Sequence, residues 1–263
     1  MKKLLLLTAC AFFLSYGFAL AGKYSKTETR TYNITSNGKV SVQNVNGEIT
    51  VESWDKDQVS LEITKTVRAD DQDDADEYFG KVRVEVESGK DYIDVTTHYP
   101  HDMDGGFFDW LFHGGSRSPN VDYRLRVPVG ASVDLESTNG QIYVENVEGN
   151  VQAHSTNGGL NLNGVSGRIE ASTTNGGISV TVSNADKFDG MDVSTTNGGI
   201  KVYCPEDIDA DVDAHTTNGG IDSEFPITVS GSFLSKSLSG RINNGGKRMY
   251  LHTTNGGIEI DKK

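Results

Sequence analysis

Residues 169–180 have the sequence IEASTTNGGISV, and variants of this stretch recur through the second half of the chain. The dipeptide Asn-Gly marks each copy, at Asn139, Asn157, Asn175, Asn197, Asn218 and Asn255. The first four spacings are 18, 18, 22 and 21 residues. A recurring period of this length is typical of repeat architectures in which each repeat forms one structural unit.

Apolar and polar residues alternate strictly on both sides of each repeat asparagine. Around Asn175, the apolar residues Ile169 and Ala171 come before it, and Ile178 and Val180 follow it. Such alternation predicts strands that bury one face. The frame also fits Asn46 near the amino terminus, so we predict a ladder of corner asparagines consisting of Asn46, Asn139, Asn157, Asn175, Asn197, Asn218 and Asn255.

Two folds can use these corners. Asn-Gly commonly joins the strands of a β-hairpin, which would give an antiparallel sandwich. Similar corners every 18–22 residues instead favour an all-β parallel solenoid in which each coil stacks on the last. We therefore predict a parallel β-helix, right-handed by the crossover rule.

The corner residues suggest how the coils turn. We expect positive φ at the Asn-Gly corners, because asparagine tolerates that conformation and glycine adopts it freely. A second corner is predicted halfway along each coil, at residues 146–149 and 163–167. Asn218 and Asn255 are 37 residues apart, which corresponds to about two coils, so residues 225–246 are predicted to form an irregular coil.

Composition excludes several classes of function. The chain has 263 residues and a formal net charge of −13, which disfavours binding to nucleic acid or to anionic lipid headgroups. After residue 21, no stretch is apolar and long enough to span a bilayer. No phosphate loop, nucleophile elbow or zinc signature is present.

The first 21 residues resemble a secretory signal peptide. A basic start at Lys2 and Lys3 precedes an apolar run, and a small-residue cleavage signal ends at Ala21. Cys10 within the sequence LTAC offers a lipoprotein alternative, although the apolar run before it is short. Cleavage after Ala21 would leave residues 22–263 as a single β-helix domain in which Cys204 is the only cysteine.

The repeats and two further segments resemble the bacterial putative-adhesin family of β-strand repeat proteins. The segments are residues 44–55 and 125–131, and the repeats are the Thr-Thr-Asn-Gly-Gly-Ile copies. This resemblance implies an extracytoplasmic single-stranded β-helix. It supplies no catalytic motif, and the function of the family is unsettled.

An irregular segment of about residues 66–120 interrupts the repeats. The acidic run 70–77 predicts a solvated loop or the start of a short helix, because it lacks the glycine and spacing of a calcium loop. A later aromatic cluster predicts either a cap on the solenoid or an exposed patch that binds a partner. We name its members as candidate partner-binding residues: Phe107, Phe108, Trp110, Leu111 and Phe112.

Polar clusters give no convincing metal or catalytic site. His154, His215 and His252 share one predicted column, but Ser172 and Ser194 intervene, so we expect that adjacent coils do not pair the imidazoles. The alternating acids Asp207, Asp209, Asp211 and Asp213 lack a predicted basic partner, which favours a solvated strand face, with weak calcium binding as the alternative. Other polar residues near the aromatic cluster match no ligand spacing, and these are His98, His101, Asp102, Asp104 and His113.

These observations predict an exported, non-catalytic binding or scaffolding protein of the cell envelope, periplasmic or at the surface. We expect no metal or other cofactor, and a glycan, matrix component or envelope protein as partner. The alternatives are a β-helix polysaccharide lyase or hydrolase, and an envelope-stress accessory protein that docks its partner through the aromatic cluster.

Overall fold

The computed structural model describes residues 13–16, 22–99, 119–229 and 236–263. Within these ranges the chain forms 22 strands and one helix. None of the helical structure in these ranges is long and apolar enough to cross a membrane. The helix is α1 (Gln72–Lys81).

The first eight strands surround α1 in the sequence. They are β1 (Phe13–Tyr16), β2 (Lys23–Asn33), β3 (Lys39–Asn46), β4 (Ile49–Trp54), β5 (Gln58–Arg68), β6 (Arg83–Ser88), β7 (Tyr92–His98) and β8 (Asn120–Pro128).

The remaining strands follow the repeats. They are β9 (Ser132–Asn139), β10 (Ile142–Glu145), β11 (Val151–Asn157), β12 (Leu160–Val165), β13 (Gly167–Asn175), β14 (Ile178–Val182), β15 (Phe188–Asn197), β16 (Ile200–Cys204), β17 (Ala210–Asn218), β18 (Ile221–Ser223), β19 (Ile227–Val229), β20 (Ser237–Ile242), β21 (Lys247–Asn255) and β22 (Ile258–Lys262).

These strands form two sheets of eleven strands each. Sheet 1 has the order β1-β2-β5-β8-β4-β10-β12-β14-β16-β22-β18. Sheet 2 has the order β19-β20-β17-β21-β15-β13-β11-β9-β3-β7-β6. Each pair of strands that flanks a repeat asparagine places its first strand in sheet 2 and its second in sheet 1.

Neighbouring coils pair in parallel. In sheet 2, Val151 of β11 lies opposite Val133 of β9 and Ile169 of β13. In sheet 1, Ile142 of β10 lies opposite Ile49 of β4 and Leu160 of β12. An antiparallel hairpin sandwich is therefore wrong for the repeats, and the all-β fold has long parallel sheets consistent with a solenoid.

The coils do not stack in chain order at the carboxyl end. Strand β21 lies between β15 and β17, and β22 lies between β16 and β18. The last coil of the chain is thus inserted between the two coils that precede it. This arrangement explains the long spacing between Asn218 and Asn255, because β19 and β20 occupy part of the interval at the edge of sheet 2.

The core lies between the two sheets and follows the predicted alternation. Val151 and Ala153 of β11 are buried, while the intervening Gln152 and the following His154 are exposed. Burial of each large aliphatic side chain contributes about 1.5–3 kcal/mol, so repetition from coil to coil stabilises the stack.

Antiparallel strands flank the parallel region at one end of both sheets and at the other end of sheet 2. Strands β5 and β2 pair antiparallel beyond β8 in sheet 1, and β6 does so beyond β7 in sheet 2. At the other end, β20 pairs antiparallel with β17. The described part of residues 66–120 therefore includes strands of both sheets.

The acidic run forms the beginning of α1, which confirms the helical alternative. The Asp71 carboxylate caps the helix by accepting a hydrogen bond from the backbone N–H of Asp74 at 2.9 Å. Ala75 and Phe79 pack with Val67 of β5 in a small second apolar cluster. Carboxylates in the first turn also interact favourably with the helix dipole.

Candidate functional site

The predicted asparagine ladder forms along one edge of the coils. Except for Asn46 at the end of the ladder, each side-chain amide donates to the side-chain oxygen of the preceding asparagine in the stack, at 2.8 or 2.9 Å. Because the last coil is inserted, Asn255 lies between Asn197 and Asn218. The order along the stack is Asn46, Asn139, Asn157, Asn175, Asn197, Asn255 and Asn218.

A second row of hydrogen bonds runs parallel to this ladder inside the coils. The hydroxyl of Thr173 donates to the carbonyl oxygen of Gly158 at 2.9 Å, and Thr195 does the same to Gly176. Equivalent bonds begin at Ser155, Thr253 and Thr216. These hydroxyls satisfy carbonyl groups at the corner of the neighbouring coil, so they are structural.

Glycine follows the ladder asparagine because neighbouring coils approach closely there. A Cβ on Gly176 would lie 2.2 Å from the carbonyl oxygen of Gly158, and one on Gly198 would lie 2.0 Å from that of Gly176. From Asn139 onward none of these corners has positive φ, so the positive-φ prediction is wrong for them. Positive φ occurs at the second corner, at Asn146 and Gly164.

The outer face of sheet 2 presents polar side chains in rows that run from coil to coil. The threonine row lies one residue before the ladder and contains Thr138, Thr156, Thr174, Thr196, Thr254 and Thr217. The central row lies two residues further back and contains Gln43, Glu136, His154, Ser172, Ser194, His252 and His215. Adjacent members lie about 4.8 Å apart, which is the strand spacing.

The inserted coil makes His252 and His215 neighbours in the central row. Their rings stack with centroids 5.5 Å apart and planes 7° apart. Chain order predicted that no two imidazoles of this row would be adjacent, and this prediction is wrong. Within the part of the chain that the structure describes, no group of three or more potential metal ligands occurs.

Glu136, His154 and Ser172 occupy consecutive positions at the other end of the central row. His154 Nδ1 and Ser172 Oγ form a hydrogen bond. No hydrogen bond joins Glu136 to His154 among the described residues. A catalytic triad needs the imidazole to be oriented by the carboxylate, so the geometry does not assemble one.

A polar cavity of about 540 Å³ lies beside this end of the central row, near Thr96 and Thr97 of β7. Its lining includes the buried residues Asn44 and Ser137. Asn44 donates to the carbonyl oxygen of Val121 at 2.8 Å and accepts from the Thr97 hydroxyl at 3.1 Å. Ser137 Oγ has no hydrogen-bond partner among the described residues.

Two residues of the predicted acidic row, Asp213 and Asp209, have interaction partners in the structure. Asp213 lies 3.7 Å from Arg248, so the prediction that the acidic row has no basic partner is wrong at this position. The Asp209 carboxylate accepts from the backbone and side chain of Asn244, which fixes the turn before β21. These acids therefore stabilise the inserted coil.

Cys204 is a buried core residue at the end of β16. Burial raises the pKa of its thiol to about 12. A thiol with so high a pKa holds almost no thiolate near neutral pH, which agrees with the expected packing role.

Several candidate residues lie outside the described ranges. The aromatic residues Phe107, Phe108, Trp110, Leu111 and Phe112 are among them, as are His101, Asp102, Asp104 and His113. The nearby His98 is described, and its Nε2 lies 2.9 Å from Glu85 Oε2 on the neighbouring strand β6.

Comparison with known families and structures finds one matching family and a solved structure with a similar fold. A family model described as Toastrack DUF4097 matches residues 22–261. A solved structure of a putative cell adhesion protein from Clostridium sporogenes has a TM-score of 0.54 at 10% identity and covers 91% of this chain and 100% of its own. At this identity the likeness shows the fold alone.

A second solved structure is more distant. It is a putative adhesin from Bacteroides fragilis with 12% identity and a TM-score of 0.29, covering 90% of this chain and 97% of its own. Comparison with curated proteins gives no match.

Proposed function

Because the chain belongs to the Toastrack DUF4097 family, we propose that it is an exported, non-catalytic binding or scaffolding protein of the cell envelope. The resemblance to the putative-adhesin β-strand repeat family is confirmed by the family match. The observation that carries the proposal is the outer face of sheet 2. There, the threonine row and the central row repeat similar polar groups on successive coils.

A glycan chain is the partner that best fits this face. Sugar hydroxyls donate and accept hydrogen bonds, as the threonine hydroxyls do. A chain of similar sugars could contact several coils at once, so affinity would come from many weak contacts. The polar cavity beside Ser137 offers a deeper contact at one end of the face.

Binding of the purified protein to a panel of cell-wall and extracellular glycans tests the proposal. Replacing Thr174 and Thr196 with alanine should weaken glycan binding at least about fivefold, because two hydroxyl contacts are lost. The matched control replaces Asn161 and Ser179 with alanine on the outer face of sheet 1 and should leave binding unchanged.

Failure to bind any member of a broad panel would contradict a glycan-binding role. Release of sugars from a bound glycan would favour the alternative polysaccharide lyase or hydrolase, and its loss in His154→Ala would assign the activity to the central row.

Export is supported by the signal-like sequence of residues 1–21. Strand β1 lies in this segment and pairs with Lys26–Thr29 of β2. Cleavage after Ala21 would remove β1 and make β2 the edge of sheet 1. Sequencing the amino terminus of the protein recovered from the envelope should find Gly22, whereas a lipid-modified Cys10 would contradict this cleavage.

The aromatic cluster remains a candidate partner-binding segment or a cap. If the cluster binds an envelope partner, replacing Phe107, Phe108 and Trp110 with serine should abolish capture of that partner and leave the folded structure intact. Loss of folding would identify it as a cap.

We also propose that the coils wind right-handed, in keeping with the strong preference of parallel crossovers.

A further inference from the structure

A cavity of about 580 Å³ lies between β2, β5, α1 and β6, apart from the outer face of sheet 2. Its lining includes four cationic side chains, Lys26, Arg30, Lys65 and Arg83, and two carboxylates, Glu28 and Asp76. The lining is therefore net positive, although the whole chain has a net charge of −13. Apolar side chains form the remaining walls.

Three of these charged residues face inward from one strand. Strand β2 pairs with β5, and Glu28 lies opposite the buried Ile63 while Lys26 lies opposite Lys65. Residues directly opposite one another in an antiparallel pair point to the same face. Arg30 lies two residues beyond Glu28 and shares that face, so the cations converge on the space beneath α1.

Placing Lys26 opposite Lys65 carries an energetic cost. Like charges directly across an antiparallel pair are destabilising. Burial lowers the pKa of the Lys65 amine, the Glu28 carboxylate opposes this shift, and Lys26 and Arg30 add to it.

The existing contacts satisfy only part of this charge. Arg30 donates to the Glu28 carboxylate at 2.8 Å, and Lys65 donates to the carbonyl oxygens of Phe79 and Val82 at the end of α1. Lys26 makes no hydrogen bond or ion pair with the described residues. Arg30 Nε is buried and also has no partner among them.

From this arrangement we propose that the cavity binds a phosphate group, with Lys26 and Arg30 as its principal ligands and Lys65 as a supporting charge. A phosphate carries several acceptor oxygens and matches both the arginine fork and the lysine point charge. It would accept from the Arg30 guanidinium and neutralise the charge of Lys26.

The cavity has room for a phosphate ester. A volume of about 580 Å³ is in the range of small-molecule sites and far exceeds the volume of one phosphate. Ile63, Phe79 and Val84 provide apolar surface for the organic part. The ester could be a soluble metabolite or a lipid headgroup, because both present the same group.

Isothermal titration of the full chain with inorganic phosphate and with glycerol 3-phosphate tests the site. We expect saturable binding of both, with glycerol 3-phosphate at least as tight. Lys26→Gln should weaken binding by about tenfold, because a charge-assisted hydrogen bond is lost. Glu28→Gln should strengthen binding several-fold, because a competing carboxylate is removed from beside Arg30.

The opposite signs of these two variants separate ligand binding from a structural role. Lys201→Gln is the matched control, because Lys201 pairs with Glu259 at 2.7 Å elsewhere on sheet 1. It should bind both probes as the unmodified chain does. No saturable binding of either probe would overturn the proposal, as would equal weakening in Lys26→Gln and Lys201→Gln.

Vesicles distinguish the two sources of the phosphate. Binding to phosphatidylglycerol vesicles but not to phosphatidylcholine vesicles, lost in Lys26→Gln, would support a lipid headgroup. Binding of glycerol 3-phosphate without binding to either vesicle would support a soluble ester. This site does not depend on glycan binding, since its titrations use neither the sheet 2 face nor its variants.

Discussion

At the scale of single residues, the repeat asparagines and glycines have different roles. Each interior ladder asparagine donates one side-chain hydrogen bond and accepts another along the stack. Each first glycine allows the backbone of the next coil to approach within a distance that a Cβ would block. The asparagine joins neighbouring coils through side-chain hydrogen bonds. The glycine lets their backbones come close because it has no side chain.

The position of an asparagine in the ladder should set its contribution to stability. Asn175→Ala removes two side-chain hydrogen bonds, whereas Asn218→Ala removes the single bond at the end of the ladder. We expect the free energy of unfolding to fall by about 1–2 kcal/mol in the first variant and by about half as much in the second. Urea denaturation measures both, and equal losses would contradict the ladder.

At the scale of the coil, backbone contact between corners determines which substitutions are tolerated. Gly176 and Gly177 are adjacent in sequence but differ in their surroundings. A Cβ on Gly176 would lie 2.2 Å from the Gly158 carbonyl oxygen, while one on Gly177 would lie 3.5 Å from that of Gly199. The second distance is ordinary van der Waals contact.

Alanine at these two positions should therefore have unequal effects. We expect Gly176→Ala to lower the free energy of unfolding by at least about 2 kcal/mol, because two coils must separate to relieve the clash. Gly177→Ala should change it by less than about 1 kcal/mol. Thermal and urea unfolding of the pair provide the comparison, and a larger loss in Gly177→Ala would show that the corner is held differently.

At the scale of the whole molecule, the coil formed by β21 and β22 lies between two coils that precede it in the sequence. Strand β21 has β15 on one side and β17 on the other, so the last residues of the chain hold earlier coils together. Contacts of this kind join residues that are distant in sequence, such as Asn197 and Asn255. This end of the stack therefore depends on residues 247–262.

Deleting residues 247–263 tests this arrangement. Without β21 and β22, β17 retains only β20 as a partner and β18 loses its partner in sheet 1. Hydrogen exchange measured by mass spectrometry should show loss of protection in residues 210–223, with protection kept in residues 132–182. Retained protection in residues 210–223 would mean that β17 and β18 pair directly with β15 and β16.

As a control, deleting residues 1–21 removes β1, the one described element in that range, which lies at the far edge of sheet 1. This deletion should leave hydrogen exchange in residues 132–223 unchanged.

The strands, the buried faces and the corner positions of the asparagines can be predicted from the sequence alone. These follow from local periodicity, because alternation at every second residue specifies which side chains enter the core. The sequence also indicated parallel coils, since hairpins do not require a constant period.

Which coils become neighbours depends on tertiary packing. Several coils present the same buried faces and corner residues, so local pattern does not distinguish β17 from β21 as the neighbour of β15. Pairing over long separations depends on how the intervening chain packs, which is why the stacked imidazoles and the cationic cavity could not be found from spacing. The cavity unites Lys26 and Arg30 with Lys65 and Arg83 only after β2, β5 and α1 have packed together.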